Sequence, residues 1–174
     1  EGGSVADLQR LLRDYVGNEP RLLNDLGWII GFGYDDSQLA GRRHPTRHEL
    51  DAVSRDVPML IIHQSGHLGV ANSAALAAVG ITADTPDPDG GVFRREDDGR
   101  TPSGIAEEYA FFRLIFAALA AQDETLQDDM LKAGVRLMAR YGYTTAQDGR
   151  SDARGLAAMA RVAEPRVGST AAVA

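Results

Sequence analysis

The sequence predicts an α/β protein built on a partly parallel sheet. Three observations carry that expectation. Two short apolar runs, Trp28-Ile29-Ile30-Gly31-Phe32-Gly33 and Met59 to Ile62, read as buried strands. Segments with apolar residues at helical spacing stand before, between and after them. Glycine, proline and aspartate punctuate the joins. Helices that alternate with short buried strands are expected to pack as layers on one sheet.

The elements follow in order. Ser4, with Asp7 three residues on, opens a helix whose apolar stripe is Leu8, Leu11, Leu12, Tyr15 and Val16, and Gly17-Asn18 ends it. The glycines of the strand at 28–33 allow close backbone approach. Thr46-Arg47-His48-Glu49 is a capping box for a helix through about Ser54. The strand at 59–62 runs into the polar cluster His63, Gln64, Ser65, Gly66 and His67, where the chain must turn. Asn72 or Ser73 then caps a short helix that stops at Gly80. Residues 84–91 are a turn, and Val92-Phe93-Arg94 with the acidic stretch to Gly99 fits a solvated hairpin. Thr101-Pro102 reads as the start of a helix carrying an Ile105, Tyr109, Phe112 and Phe116 core stripe. Another helix runs from about Thr125 to Gly142, with Leu126, Met130, Ala133 and Leu137 on one face. Tyr143 to Ala146 is a short strand leading to Asp148, residues 151–162 form a helix, and 166–174 open a further strand.

Composition narrows the function. With 174 residues and 44% hydrophobic content the chain can bury one sizeable core. A formal charge of −7 without any basic run argues against a nucleic-acid partner. The absence of cysteine excludes disulfides and thiolate metal sites. No apolar stretch spans a bilayer and no signal pattern opens the chain, so no membrane partner is expected and a cytoplasmic setting is. Glu1-Gly2-Gly3-Ser4 at one end and an apolar Ala-Ala-Val-Ala at the other look like cut ends.

The strand, polar turn and helix start across residues 58–76 is how an α/β protein builds a site wall, with imidazoles and hydroxyls at a strand's carboxyl end. His63 and His67 are spaced as metal ligands are on a helix, but a Ser-Gly turn separates them and no third ligand is apparent. Substrate contact, support of a neighbouring group and plain structural hydrogen bonding remain open for the pair. Ser65 has only half of a nucleophile elbow and no marked acid partner. His44 and His48 flank the capping box and are expected to face solvent. Residues 85–96 imitate a calcium loop, but Thr85 holds the first ligand position and Pro86 and Pro88 stiffen the turn. The Gly31-Phe32-Gly33 string is too short for a dinucleotide loop.

Seven strings then occur in order: Trp28-Ile-x-Gly31-x-Gly33-Tyr34-Asp35, Arg43-x-Pro45-Thr46-Arg47-x-x-Leu50-Asp51, His63-x-Ser65-Gly66-His67-x-x-Val70-Ala71-Asn72-Ser73-x-Ala75-Leu76, Gly80-Ile81, Asp87-Pro88-x-Gly90-Gly91, Pro102-Ser103-Gly104-Ile105-x-x-Glu108-x-Ala110 and Gly142-Tyr143-Thr144-Thr145-x-x-Asp148. Over roughly residues 5–150 the chain resembles amidohydrolase family 3 of the metal-dependent hydrolases, the group that includes N-substituted formamide deformylase. The histidine-containing string is the most specific of the seven.

The resemblance implies part of a (β/α)8, TIM-type barrel with an inserted α+β segment at about 84–122, residues 1–174 being an internal fragment of one catalytic domain. It implies hydrolysis of a non-peptide carbon–nitrogen bond, in a small-molecule amide or formamide, by metal-activated water with an acid/base residue moving the proton. The divalent metal, zinc by analogy, would take its ligands from outside this chain; Lys132 sits mid-helix and is no bridging ligand, and no metal ligand is assigned here. Substrate contacts are expected from His67, His63, Ser65 and Asn72. Asp148 is the candidate catalytic residue, with a turn-stabilising role as its alternative, and Glu108 is either a family site residue or a helix-start carboxylate. The fragment alone is expected to be inactive and to self-associate through open sheet edges. The competing class is a non-catalytic small-molecule binding or interaction module that lacks the metal; a third is an unrelated hydrolase using Ser65.

Overall fold

The computed structural model describes residues 3–18, 27–120, 123–149 and 151–163. The chain divides into two compact units, residues 1–121 and 122–174. The first contains helix α1 (Val5–Asn18), strand β1 (Ile29–Tyr34), a 3-10 turn (Asp36–Gln38), α2 (Arg47–Asp51), β2 (Met59–His63), β3 (Leu68–Ala71), α3 (Ser73–Ala78), β4 (Gly91–Arg95), β5 (Pro102–Glu108) and α4 (Tyr109–Ala120).

The five strands form one open sheet in the order β1-β2-β3-β5-β4. β1 and β2 are parallel, and every other neighbouring pair is antiparallel. Two reversals from β2 through β3 to β5 leave β1, β2 and β5 pointing the same way. Side chains alternate between the faces, as the two-residue strand period requires. Met59, Ile61, Val70 and Ile105 pack with Leu12 of α1 and Leu50 of α2 on one face. Leu60, Ala71, Phe93 and Ala106 pack with Leu76 of α3 and Phe111 and Leu114 of α4 on the other. The result is an α/β unit with a mixed sheet covered on both faces. An arc of consecutive parallel strands, expected from the barrel resemblance, is not seen among the described residues.

Capping fixes several boundaries. Ser4 and Asp7 exchange hydrogen bonds, Ser4 N–H to Asp7 Oδ2 at 2.8 Å and Asp7 N–H to Ser4 Oγ at 3.1 Å. Thr46 N–H donates to Glu49 Oε2 at 2.9 Å, and α2 is shorter than expected, ending at Asp51. Asn72 is the cap of α3, its Oδ1 accepting from Ala75 N–H at 2.9 Å.

Residues 68–71, to which the sequence assigns no element, are strand β3, a four-residue element paired on both sides. Three expectations are corrected. Thr101-Pro102 opens strand β5, not a helix. Pro102 is the strand's first residue, where a missing N–H is tolerated, and Gly104 at φ +98° cannot continue a helix. Because α4 starts at Tyr109, its buried face is Ala110, Phe111, Leu114 and Ala118, while Tyr109 and Phe116 are exposed. Tyr143 to Ala146 is not a strand; it has no ladder partner and its residues are exposed.

The second unit holds α5 (Glu124–Arg140) and α6 (Ala153–Ala163). Asp123 caps α5 by accepting from Leu126 N–H at 2.7 Å. Arg161 grips Asp128 with two nitrogens, at 2.9 and 3.2 Å, tying the two helices together. The strand expected at 166–174 lies outside the described residues. No helix among the described residues is long and apolar enough to cross a membrane.

Candidate functional site

The shared direction of β1, β2 and β5 gathers their carboxyl ends on one edge of the sheet. Tyr34, His63 and Glu108 end these three strands, and β3 begins at the same edge directly after His67. Loops at such an edge are where α/β sheets place ligand-binding groups.

β1 reaches this edge through a bulge. Gly33, at φ +95°, lets the register slip between Phe32 and Tyr34, so that Tyr34 pairs with His63. Tyr34 is buried, with its hydroxyl 3.1 Å from His44 Nδ1. The rings of Tyr34, His44 and His63 meet edge to face, with centroids 5.3 to 6.0 Å apart. Burial is the main cause that raises the Tyr34 pKa above its ordinary value, helped by the Asp36 carboxylate. Burial likewise lowers the His44 pKa, against the pull of Asp36. Both groups are therefore neutral near pH 7. His44 was expected to face solvent, yet its side chain is only 14% exposed.

The turn after β2 is clamped onto the end of β1. Gln64 N–H donates to Tyr34 O at 2.9 Å and Gln64 Nε2 donates to Asp35 Oδ2 at 2.7 Å. The other oxygen of Asp35 accepts from Ser37 N–H and Oγ–H at 2.9 and 2.7 Å. The Ser37 hydroxyl is the leading cause that holds the Asp35 pKa below its usual value.

His63, 15% exposed, points Nε2 at Asp36 Oδ1 (3.2 Å) and Asp35 Oδ1 (3.8 Å). Nε2 is buried, and no partner meets hydrogen-bond geometry. On its other side Nδ1 lies 3.2 Å from Ser65 N and 2.9 Å from Ser65 Oγ. Ser65 Oγ in turn accepts from His67 N–H at 3.2 Å. His67 Nδ1 lies 2.9 Å from Glu108 Oε2, and both side chains are half exposed. The His67 ring stands edge-on to Phe112, with centroids 6.0 Å apart. A shallow hollow of about 510 Å³ borders this edge, with Phe32, Gly33 and Tyr34 in its lining and Asp35 and Gln64 beside them.

Asp35, Asp36 and His63 place one ligand-type atom each within 4.8 Å of one another, a grouping that no spacing in the sequence marks. The trio does not fit a divalent ion as it stands. A backbone N–H can only donate, so His63 Nδ1 accepts from Ser65 and the proton of the neutral ring sits on Nε2, the atom facing the carboxylates. Asp35 Oδ1, the oxygen nearer His63, already accepts two hydrogen bonds from Ser37.

The expected site residues thus separate. His63, Ser65 and His67 come together in one turn. Asn72 does not join them: it is fully buried, with Oδ1 accepting from Met59 and Ala75 N–H and Nδ2 donating to Ser54 O and Val57 O. No atom of its amide is left for a substrate. Asp148 lies in the second unit, follows no strand, and accepts from Ser151 Oγ at 2.8 Å. Glu108 ends β5 instead of starting a helix. Asp36, His44 and Gln64 were given no site role from sequence; Asp36 adjoins Tyr34-Asp35 at the end of a buried strand and Gln64 lies in the polar turn after β2, whereas nothing local marks His44.

Comparison with known proteins places the chain. The sequence profile of the amidohydrolase family matches residues 1–168. The N-substituted formamide deformylase of Arthrobacter pascens is 45% identical over 83 residues, covering 48% of this chain and 15% of that protein. YtcJ of Bacillus subtilis (strain 168), which carries an amidohydrolase name, is 36% identical over 117 residues, 67% of this chain and 22% of that protein. The crystal structure of an uncharacterised metal-dependent hydrolase from Pyrococcus horikoshii OT3 superposes with a TM-score of 0.63 at 22% identity, over 91% of this chain and 28% of that one. The chain therefore spans less than a third of each of these relatives.

Proposed function

The chain belongs to the amidohydrolase family, and from that premise we propose that it forms the substrate-facing wall of a hydrolase that cleaves a non-peptide carbon–nitrogen bond in a small amide or formamide. The observation that carries the reading is the convergence of His63, Ser65 and His67 in one turn at the sheet's carboxyl edge, pinned to β1 by Gln64 and to β5 by Glu108. The name of the Arthrobacter relative supports the formamide class.

In this reading His67 contacts the carbonyl or leaving group and His63 orients the turn. Ser65 couples them by donating to His63 Nδ1 and accepting from His67 N–H. Asn72 serves as scaffold. The sheet would stand with an inserted segment at about 84–122 beside a (β/α)8 barrel completed elsewhere in the intact enzyme. The divalent ion of metal-dependent hydrolases would take its ligands from elsewhere too, because the carboxylate-facing atom of His63 carries a proton. The second reading is a small-molecule binding module without a metal.

The test is His67→Ala in the intact protein, assayed on a panel of N-substituted formamides. Loss of one positioned polar contact typically costs about 10²–10³ in rate. We expect kcat/KM to fall by that factor with melting temperature and metal content unchanged. Near-parental activity would overturn the wall assignment. Loss of activity together with the metal would make His67 a ligand, and absence of turnover in the parent would favour the binding module.

A further inference from the structure

His63 and His67 bracket one turn, yet their Nδ1 atoms meet opposite kinds of partner. His63 Nδ1 faces the Ser65 N–H, which only donates. His67 Nδ1 faces Glu108 Oε2 at 2.9 Å, and an ionised carboxylate only accepts. In the neutral rings, His63 therefore carries its proton on Nε2 and His67 carries its proton on Nδ1. His67 Nε2 is left with a lone pair on a ring that is half exposed.

The backbone at Glu108 supplies an independent observation. Its φ is +50°, a left-handed conformation that glycine or asparagine ordinarily occupies. Among the described residues only Arg42 shares this state without being glycine. The β5–α4 corner thus holds a glutamate at a conformational cost, and its side chain returns to the start of β3. The main chain makes a second link there, with Glu108 N–H donating to His67 O at 2.8 Å. One main-chain and one side-chain hydrogen bond between the same two residues fix the position and the orientation of the ring, and Phe112 borders it.

We propose that Glu108 is a positioning residue that locks His67 in the Nδ1–H tautomer, so that Nε2 accepts a proton donor, of the amide N–H class, from the bound molecule. The proposal deepens the substrate-facing reading of His67 and rests on it. Its logic is that of any imidazole whose working nitrogen is selected by the carboxylate on the other one.

The test separates the carboxylate from the strained backbone. Two-bond proton–nitrogen spectra of the neutral His67 ring in the intact protein should show Nδ1 protonated and Nε2 bare. Glu108→Gln retains an acceptor oxygen and should keep that tautomer and most of the activity. Glu108→Gly relieves the left-handed strain while removing the carboxylate. It should fold at least as stably, yet shift the ring toward Nε2–H and lower kcat about tenfold or more on N-substituted formamides, with a smaller change in KM. An unshifted tautomer in Glu108→Gly, or an Nε2-protonated His67 in the parent, overturns the positioning role whatever the activity. A shifted tautomer in a protein whose turnover is indifferent to His67→Ala overturns the substrate-facing reading instead.

Discussion

Asn72 and Met59 are joined twice: Met59 N–H donates to Asn72 Oδ1 at 2.9 Å, and Asn72 N–H donates to Met59 O at 3.0 Å. The side chain thus completes the β2–β3 ladder where the strand ends, while its remaining bonds cap α3 and hold the loop at 54–57. Asn72→Ala would strand the buried N–H groups of Met59 and Ala75 and leave the partly buried Ser54 and Val57 C=O groups to find other partners. Each buried unsatisfied group costs about 1–3 kcal/mol, partly relieved by relaxation. We expect a total loss of about 3–5 kcal/mol, read from the denaturant midpoint; a loss below about 1 kcal/mol would show that water replaces the amide.

Gly104 is a position where an added methyl group should be poorly tolerated. At φ +98°, a Cβ would lie 2.5 Å from Ala71 O and 2.9 Å from Arg47 N, both backbone atoms that cannot swing aside. Gly104→Ala should cost more than about 3 kcal/mol. Gly99→Ala is the control, also left-handed but with open space around its Cβ, and should cost only about 1–2 kcal/mol. Similar melting temperatures for the two variants would contradict the close packing of β5 on α2.

His44 gives the fold an acid-sensitive element. Burial lowers its pKa below the ordinary 6.5 of the unfolded chain. Above that value both states are neutral and the contribution is fully present. As pH falls below about 6.5 the unfolded chain binds a proton that the folded site resists, so stability declines until pH passes the folded value. His44→Asn keeps an acceptor for the Tyr34 hydroxyl and removes the titration. Melting temperature between pH 7 and pH 5 should fall less in the variant than in the parent. Equal slopes would show that His44 does not titrate in this way.

Zinc offers a check on the His63 tautomer. With its proton on Nε2 and Asp35 Oδ1 filled by two bonds from Ser37, the Asp35, Asp36 and His63 trio should not retain zinc. Elemental analysis of this chain after dialysis against a weak chelator should find well under one zinc per chain. If about one zinc remains, and is lost in His63→Ala, the proton has been displaced and the trio is a metal site.

Local chemistry was legible without coordinates. Apolar runs fixed β1 and β2 to within a residue or two, because a buried strand needs such a run wherever it sits. Caps at Ser4, Asn72 and the box at Thr46 were readable because each bond closes within three residues. The polar turn from His63 to His67 announced itself because it follows a buried strand directly. The ordered family strings were legible too.

Everything that depends on partners distant in sequence was decided by tertiary structure. Thr101-Pro102 suits a helix start or a strand start equally well, and pairing of β5 with both β3 and β4 selects the strand. Leu68 to Ala71 is too short to declare itself, and becomes a central strand only because it has neighbours on both sides. Asn72 carries the same amide as a substrate contact would, and burial alone turns it into scaffold. His67 acquires its tautomer from a carboxylate 41 positions away. The order of residues along the chain sets which side chains bring hydrogen-bonding and acid–base chemistry to this edge. Which nitrogen is free, and which carboxylate holds the other, was set by strand order and direction, which no local pattern of side chains encodes.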